Sequence, residues 1–346
     1  MRIFSPLSIV HPLASDASAR ERTDARRLRA SHVGVSPEAN DCADAPSVPE
    51  GVLEDAILDS LDGLLTALEL ESLGGDRFRV LAEPGRFDRV FGGQTVAQAM
   101  LAASATVPEK APHSLHAYFV EAGAPGETLD LDVERVRDGR SISTRRVTVT
   151  QGARPLLIVM ASFHANPPMP DVADPAPSVP APEELPLLQD WVEELPPELR
   201  LHSRSWVDQP PPLELRIGEP PTFLGGRAGS GPRSHWMRLP RDVGDDSLLH
   251  AALLAYASDY LLLDMAFRSH PQLYTPAGFT GFSLDHAVWI HRPVRFDRWH
   301  LHTQETIAIA GHRGLIRGAI HDADGHLVAS VVQEVLVRPT ATENRR

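Results

Sequence analysis

The stretch "AALLAYASDYLLLDMAF", residues 251–267, is apolar on nearly every side. A helix apolar all round is buried, so whatever this chain folds into must wrap a helix from several directions. The pattern predicts a helix over 248–267, with Asp245, Asp246 and Ser247 as N-cap candidates. Asp259 sits near its middle. An ionised carboxylate there is costly unless it is paired or hydrogen-bonded. From the helix alone two readings stand. Asp259 is a general base made more basic by burial, or it is a structural Asp that caps a bend or meets a neighbouring chain. Asp264 lies five residues on, about 140° around the helix, and reads as a solvated charge near the helix end.

The elements around this helix come twice. An amphipathic helix begins the periodic sequence, with Leu53, Ile57, Leu61, Leu64, Leu65 and Leu68 on its apolar face. "GGQTVAQAMLAASATV", residues 92–107, predicts a second, small-residue helix that starts at a Gly-Gly turn. Strands follow in "HSLHAYFVEAG", "LDLDVERVR", "ISTRRVTVTQ" and "PLLIVMASFH", with a hairpin turn at "DGR". After a Pro- and Gly-rich stretch the order returns. "HWMRLP" precedes helix 248–267, and "SLDHAVWIHRP", "LHTQETIAIAG", "RGLIRGAIHD" and "HLVASVVQEVLVRP" come after it. "LHAYFVEAG" around His116 parallels "DHAVWIHRP" around His286, at an offset of roughly 170 positions. A sheet wrapped around a buried helix, twice over, is an α+β double hot-dog arrangement. Two unrelated α+β domains fit the same pattern. The expected organisation is a disordered extension at 1–50, a first hot-dog domain at 51–165, a linker at 166–231, a second hot-dog domain at 232–340 and a tail at 341–346.

A second polar anomaly lies on the last strand. One face runs Leu327, Ala329, Val331, Gln333, Val335, Val337, and only Gln333 is polar. A carboxamide there needs partners on both its oxygen and its nitrogen. It either orients a water or is satisfied by nearby backbone. Ser283, before or at the start of the next strand, says little by itself. With sixteen histidines in the chain, His286 and His291 carry no specific signal, and neither does Asp285. There is no G-x-S-x-G elbow, Walker A or H-E-x-x-H motif, and no Cys/His cluster with metal spacing. A hydrolase built here would use a carboxylate and water, with no cofactor and no metal.

The formal net charge of -13 argues against a general nucleic-acid binder. The one cysteine, Cys42, cannot form an internal disulfide, which suits a reducing, cytoplasmic compartment. No run approaches the roughly 18 apolar residues of a membrane span, so no membrane insertion is expected. The first residues lack a clean secretory h-region, and "ATENRR" carries no peroxisomal Ser-Lys-Leu signal.

Over about residues 55–340 the chain resembles the acyl-CoA thioesterase II family. "FGGQTVAQAM", "HSLHAYFVEAG" and "RDGRSISTRRV" carry the resemblance in the first half, and "YASD", "SLDHAVWIHRP" and "DGHLVASVVQE" in the second. It implies a double hot-dog that hydrolyses acyl-CoA to fatty acid and CoA. It also implies that Asp259, Ser283 and Gln333 hold the hydrolytic water, and that the chain assembles as a homo-oligomer. Where family members have Thr this chain has Ser283; the hydroxyl is kept, while the lost methyl leaves its rotamer less restricted. The first half has no matching set, which implies one site per chain. Arg292, Arg313 and Arg317, or the N-terminus of the "GGQTVAQAM" helix, are candidates for the CoA phosphates; a solvated surface is the competing role for the arginines. The alternatives are a non-catalytic acyl-CoA-binding protein of the same fold, and a double hot-dog hydratase, for which no Gly-Asp-x-Asn-Pro type motif is present.

Overall fold

A computed structural model of the chain describes residues 50–83, 89–165, 172–196, 200, 203–270 and 279–339. Cys42 and most of the predicted extension lie outside the described residues.

Period-two patterning produces the strands and period-3.6 patterning the helices. In "LDLDVERVR" the alternating Leu129, Leu131 and Val133 are all buried. In α1 (Glu50–Ala67) Ile57, Leu61 and Leu64 are buried at helical spacing. The chain then runs through β1 (Glu71–Gly74), β2 (Arg77–Leu81), α2 (Gly92–Ala105), β3 (Ala111–Phe119), β4 (Thr128–Asp138), β5 (Ile142–Gln151) and β6 (Arg154–His164). "DGR" closes the β4–β5 hairpin as expected. The second half runs β7 (Glu214–Ile217), β8 (Arg233–Arg238), α3 (Ser247–Ala257), α4 (Leu262–Ser269), β9 (Phe279–Ser283), β10 (Asp285–Ile290), β11 (His300–Ala310), β12 (Arg313–Asp322) and β13 (Leu327–Pro339).

Twelve of these strands follow one another in a single sheet, in the order β1-β2-β4-β5-β6-β3-β10-β13-β12-β11-β8-β7, and β9 joins it by pairing with β13. Outward from the antiparallel β3–β10 pair the order repeats: β6, β5, β4 and β2 on one side, β13, β12, β11 and β8 on the other. In the first half β3, β4, β5 and β6 pack on α2, in the second β9, β11, β12 and β13 pack on α4, and α2 packs on α3. This is the expected double hot-dog, with the two sheets fused into one. The stretch 166–231, expected as a linker, holds β7, which pairs with β8 and extends the sheet, and short helical turns at Asp190–Glu193 and Ser205–Asp208.

Three expectations need correction. The first concerns the repeat. Pairing places His116 opposite Ala287, on the outer face, where it is exposed and lies 4.8 Å from the Trp289 ring. His286 points inward and is fully buried, opposite Ala117. The two histidines therefore do not correspond; a one-residue shift in a strand turns every side chain to the other face.

The second concerns the helix. Residues 248–267 do not form one helix. Asp246 caps α3, accepting N–H bonds from Leu248 at 2.9 Å and Leu249 at 3.4 Å. The helix then stops at Ala257, and α4 starts at Leu262. Between them Leu261 takes a left-handed φ of 66°, a strained conformation for a bulky side chain. The break leaves the Tyr260 carbonyl without its helical partner, and the buried Gln304 donates to it at 2.7 Å. By length and composition Ser247–Ser269 would suffice to cross a membrane, contrary to the count of apolar runs, yet 78% of its most apolar window is buried inside the protein.

The break also overturns the reading of Asp264. Its position relative to Asp259 cannot be counted along one helix. Asp264 is buried, pairs with the buried Arg233 at 2.7 Å and accepts from the Thr222 N–H at 2.9 Å.

Candidate active site

Asp259 stands in the break between α3 and α4, with only 6% of its side chain exposed. Each carboxylate oxygen has a partner from a different part of the fold. Oδ2 accepts the backbone N–H of Gly93, in the first turn of α2, at 2.9 Å. Oδ1 accepts the Gln333 side-chain N–H at 3.0 Å. The α2 N-terminus, expected as a place for phosphate, is turned onto this carboxylate, where its partial positive charge opposes the negative one.

Two glycines permit that approach. A Cβ at Gly92 would lie 2.8 Å from Asp259 Oδ2, and one at Gly93 would collide with the Tyr256 carbonyl. Phe91 packs on Tyr256 and Tyr260 at ring distances of 5.1 and 4.8 Å, and the two tyrosine hydroxyls are 3.2 Å apart. Tyr260 directly follows Asp259 in the chain, so this ring cluster stands beside the break. A cavity of about 320 Å³ opens beside Phe91 and Gln94, between α1 and residues 208–212.

Gln333 lies on the inner face of β13, between Val331 and Val335, and is fully buried. Its Nε2 donates to Asp259 and to Ser283 Oγ, and its Oε1 accepts from His286 Nδ1 at 3.0 Å. Both amide hydrogens are therefore engaged, and Gln333 joins the carboxylate to the hydroxyl.

Ser283 ends β9; it does not begin the following strand. β9 and β10 line the same edge of β13 end to end, with a bend at Leu284. The Ser283 hydroxyl meets the Gln333 side chain across this edge. Asp285, beyond the bend, accepts the Glu334 N–H at 2.6 Å, and burial raises its pKa above the usual carboxylate value. The structure thus brings together Asp259, Ser283 and Gln333, which are separated by 24 and 50 positions in sequence. It adds His286 behind Gln333, which sequence reading set aside as unspecific. The one available signal was periodic: His286 shares the inward face of β10 with Val288.

In the first half, the inner face of β6 carries Leu157, Val159, Ala161 and Phe163, all buried and apolar. No counterpart of Gln333 stands there. Arg313 and Arg317, candidates for CoA phosphates, pair on the exposed face with Glu334 at 2.9 Å and Glu305 at 2.7 Å. Among the described residues, one cluster has metal-ligand spacing: Asp322, Asp324 and His326. Asp322 there accepts the N–H groups of Asp324 and His326 and closes the β12–β13 turn.

The fold and this constellation define a class: a double hot-dog protein with a buried carboxylate–amide–hydroxyl cluster to which both halves contribute. Comparison with known proteins then gives the family. Residues 83–164 match the acyl-CoA thioesterase N-terminal domain and residues 212–336 match acyl-CoA thioesterase. The chain is 34% identical to mouse acyl-coenzyme A thioesterase 8 over 325 residues, covering 86% of this chain and 99% of that protein. It is 32% identical to acyl-CoA thioesterase 2 of Haemophilus influenzae over 285 residues, covering 81% and 98%. A solved structure of acyl-CoA thioesterase II TesB2 from Mycobacterium marinum superposes with a TM-score of 0.65 at 31% identity, over 81% of this chain and 99% of that one. The chain belongs to the acyl-CoA thioesterase family. It is a thioester hydrolase.

Proposed function

We propose that this thioesterase cleaves acyl-CoA by direct attack of a water held between Asp259 and Ser283, with Gln333 setting the geometry of both. The observation that carries the reading is the joint hold of Gln333 on Asp259 Oδ1 and Ser283 Oγ. Ser283 accepts from Gln333, so its own proton is left to donate. A water that receives this proton contact and gives a hydrogen to Asp259 keeps one lone pair for the thioester carbonyl carbon.

The steps balance without a covalent enzyme intermediate. Water attacks the carbonyl carbon while Asp259 takes its proton. The tetrahedral intermediate then collapses, the C–S bond breaks, and the proton passes from Asp259 to the CoA thiolate. Fatty acid and CoA leave. General-base help of this kind contributes roughly 10²–10⁴-fold. The positive end of α2, facing the same corner, favours the negative charge that develops on the carbonyl oxygen.

We take the cavity beside Phe91 as the approach of the substrate, because Phe91 also packs against the tyrosines that flank Asp259. The enzyme is read as cytoplasmic, on the strength of its single cysteine, and as a homo-oligomer, on family resemblance alone. A purely acyl-CoA-binding role has no use for a water-holding set.

Replacement of Gln333 by Ala tests the reading through thiol release from acyl-CoA. The expected result is a fall in kcat with KM little changed. A rise in KM at unchanged kcat would mean that Gln333 contributes uniform binding, and the water-site reading would fail.

A further inference from the structure

We propose that His286 is a positioning residue: it holds the Gln333 amide in the one orientation that joins Asp259 to Ser283. The proposal rests on the water-site reading above.

A carboxamide turned over about its last bond keeps its shape but exchanges donor for acceptor. In the observed orientation the Gln333 nitrogen faces Asp259 Oδ1 at 3.0 Å and Ser283, and its oxygen faces His286 Nδ1 at 3.0 Å. Nδ1 must therefore carry a hydrogen. His286 is held in turn by Ser258, whose hydroxyl lies 2.8 Å from Nε2 and 2.8 Å from the Ala255 carbonyl. Ser258 directly precedes Asp259. The contacts thus close a ring from the helix break through β10 and β13 back to the carboxylate, and the His286 side chain is fully buried within it.

Asp259 alone cannot keep Gln333 in place throughout the reaction. While Asp259 is ionised it accepts only, and it favours the Gln333 N–H. Once it has taken the water's proton it also donates, and this preference weakens. The donor on Oε1 from His286 is unaffected by that change. His286 keeps its Nδ1 3.9 Å from Asp259 Oδ1 and stands behind Gln333, so it acts through the amide and not on the water.

The experiment uses the full chain and thiol release from acyl-CoA. It compares His286→Leu, His286→Asn, Gln333→Ala, Asp259→Asn and the double variant His286→Leu/Gln333→Ala, each with its thermal unfolding midpoint. His286→Leu should lower kcat about 10–100-fold, the scale of a small misplacement at a reacting centre, with little change in KM. His286→Asn, whose amide N–H can reach the Nδ1 position, should recover most of the loss. The double variant should be no slower than Gln333→Ala, because His286 has nothing left to position. Normal kcat in His286→Leu, equal loss in Leu and Asn, or a double variant whose losses multiply would each overturn the proposal. If His286→Leu does not fold, His286→Asn decides: a loss as deep as that of Gln333→Ala overturns it and a milder one supports it. Asp259→Asn separates the two levels. Normal turnover in that variant removes the water site and this proposal together, whereas an inactive Asp259→Asn beside a fully active His286→Leu removes only the role of His286.

Discussion

The N–H of Gly93 donates to Oδ2 of Asp259 at 2.9 Å, joining residues 166 positions apart. Through this contact the first half of the chain, whose β6 carries no counterpart of Gln333, contributes to the site of the second. It also explains the paired glycines at the start of α2. At both positions the helix end approaches the neighbouring backbone and carboxylate too closely for a side chain.

Gly92→Ala should therefore damage activity more than stability. Its methyl would sit 2.8 Å from Asp259 Oδ2 and 2.9 Å from the Phe119 ring, displacing the carboxylate. A displacement of about 1 Å costs on the order of 10²-fold in rate. Gly93→Ala should in addition lower the unfolding midpoint, because its methyl meets the fixed Tyr256 carbonyl. Thiol-release kinetics and thermal unfolding on the two variants check both statements.

Asp264→Ala should destabilise the fold strongly. It removes the partner of the buried Arg233, and an uncompensated buried charge costs about 3–5 kcal/mol. Were Asp264 a solvated helix-end charge, the cost would stay within about 0.5 kcal/mol. Equilibrium denaturation of the variant distinguishes the two.

Acid should weaken the second half through two buried histidines. Burial, with Arg233 adding to it, pushes His235 down to about 3, and burial with His235 and His286 nearby holds His302 well below its ordinary value. As pH falls below about 6.5 the unfolded chain binds protons at these positions and the native protein does not. The loss is about 1.4 kcal/mol per pH unit for each histidine and ends for His235 near pH 3. Urea midpoints between pH 7 and 4 should fall less steeply in His235→Leu than in the parent. Parallel slopes would contradict the assignment.

The fold was legible because its main determinants are periodic. Strand alternation, the small-residue helix and the repeated order of elements led to the double hot-dog, and Gln333 stood out on an otherwise apolar face. What stayed hidden depends on tertiary contacts. Nothing in "ASDYLLL" breaks a helix, since no Gly or Pro is present. The break stands where Gln304 takes up the freed carbonyl of Tyr260 and Gly93 holds Asp259. Asp264 was misread for the same reason. His116 and His286 look alike in sequence, yet strand register sends them to opposite faces. Ser283 and Gln333 were paired with Asp259 by family resemblance, and no spacing rule within one chain would have joined them.

The most direct measurement is thiol release from acyl-CoA by purified Asp259→Asn, with its thermal midpoint as a check on folding. The variant keeps the shape of the side chain and removes its capacity to accept the water's proton. The account predicts a folded protein whose kcat falls roughly 10²–10⁴-fold. Turnover close to that of the parent enzyme would contradict it.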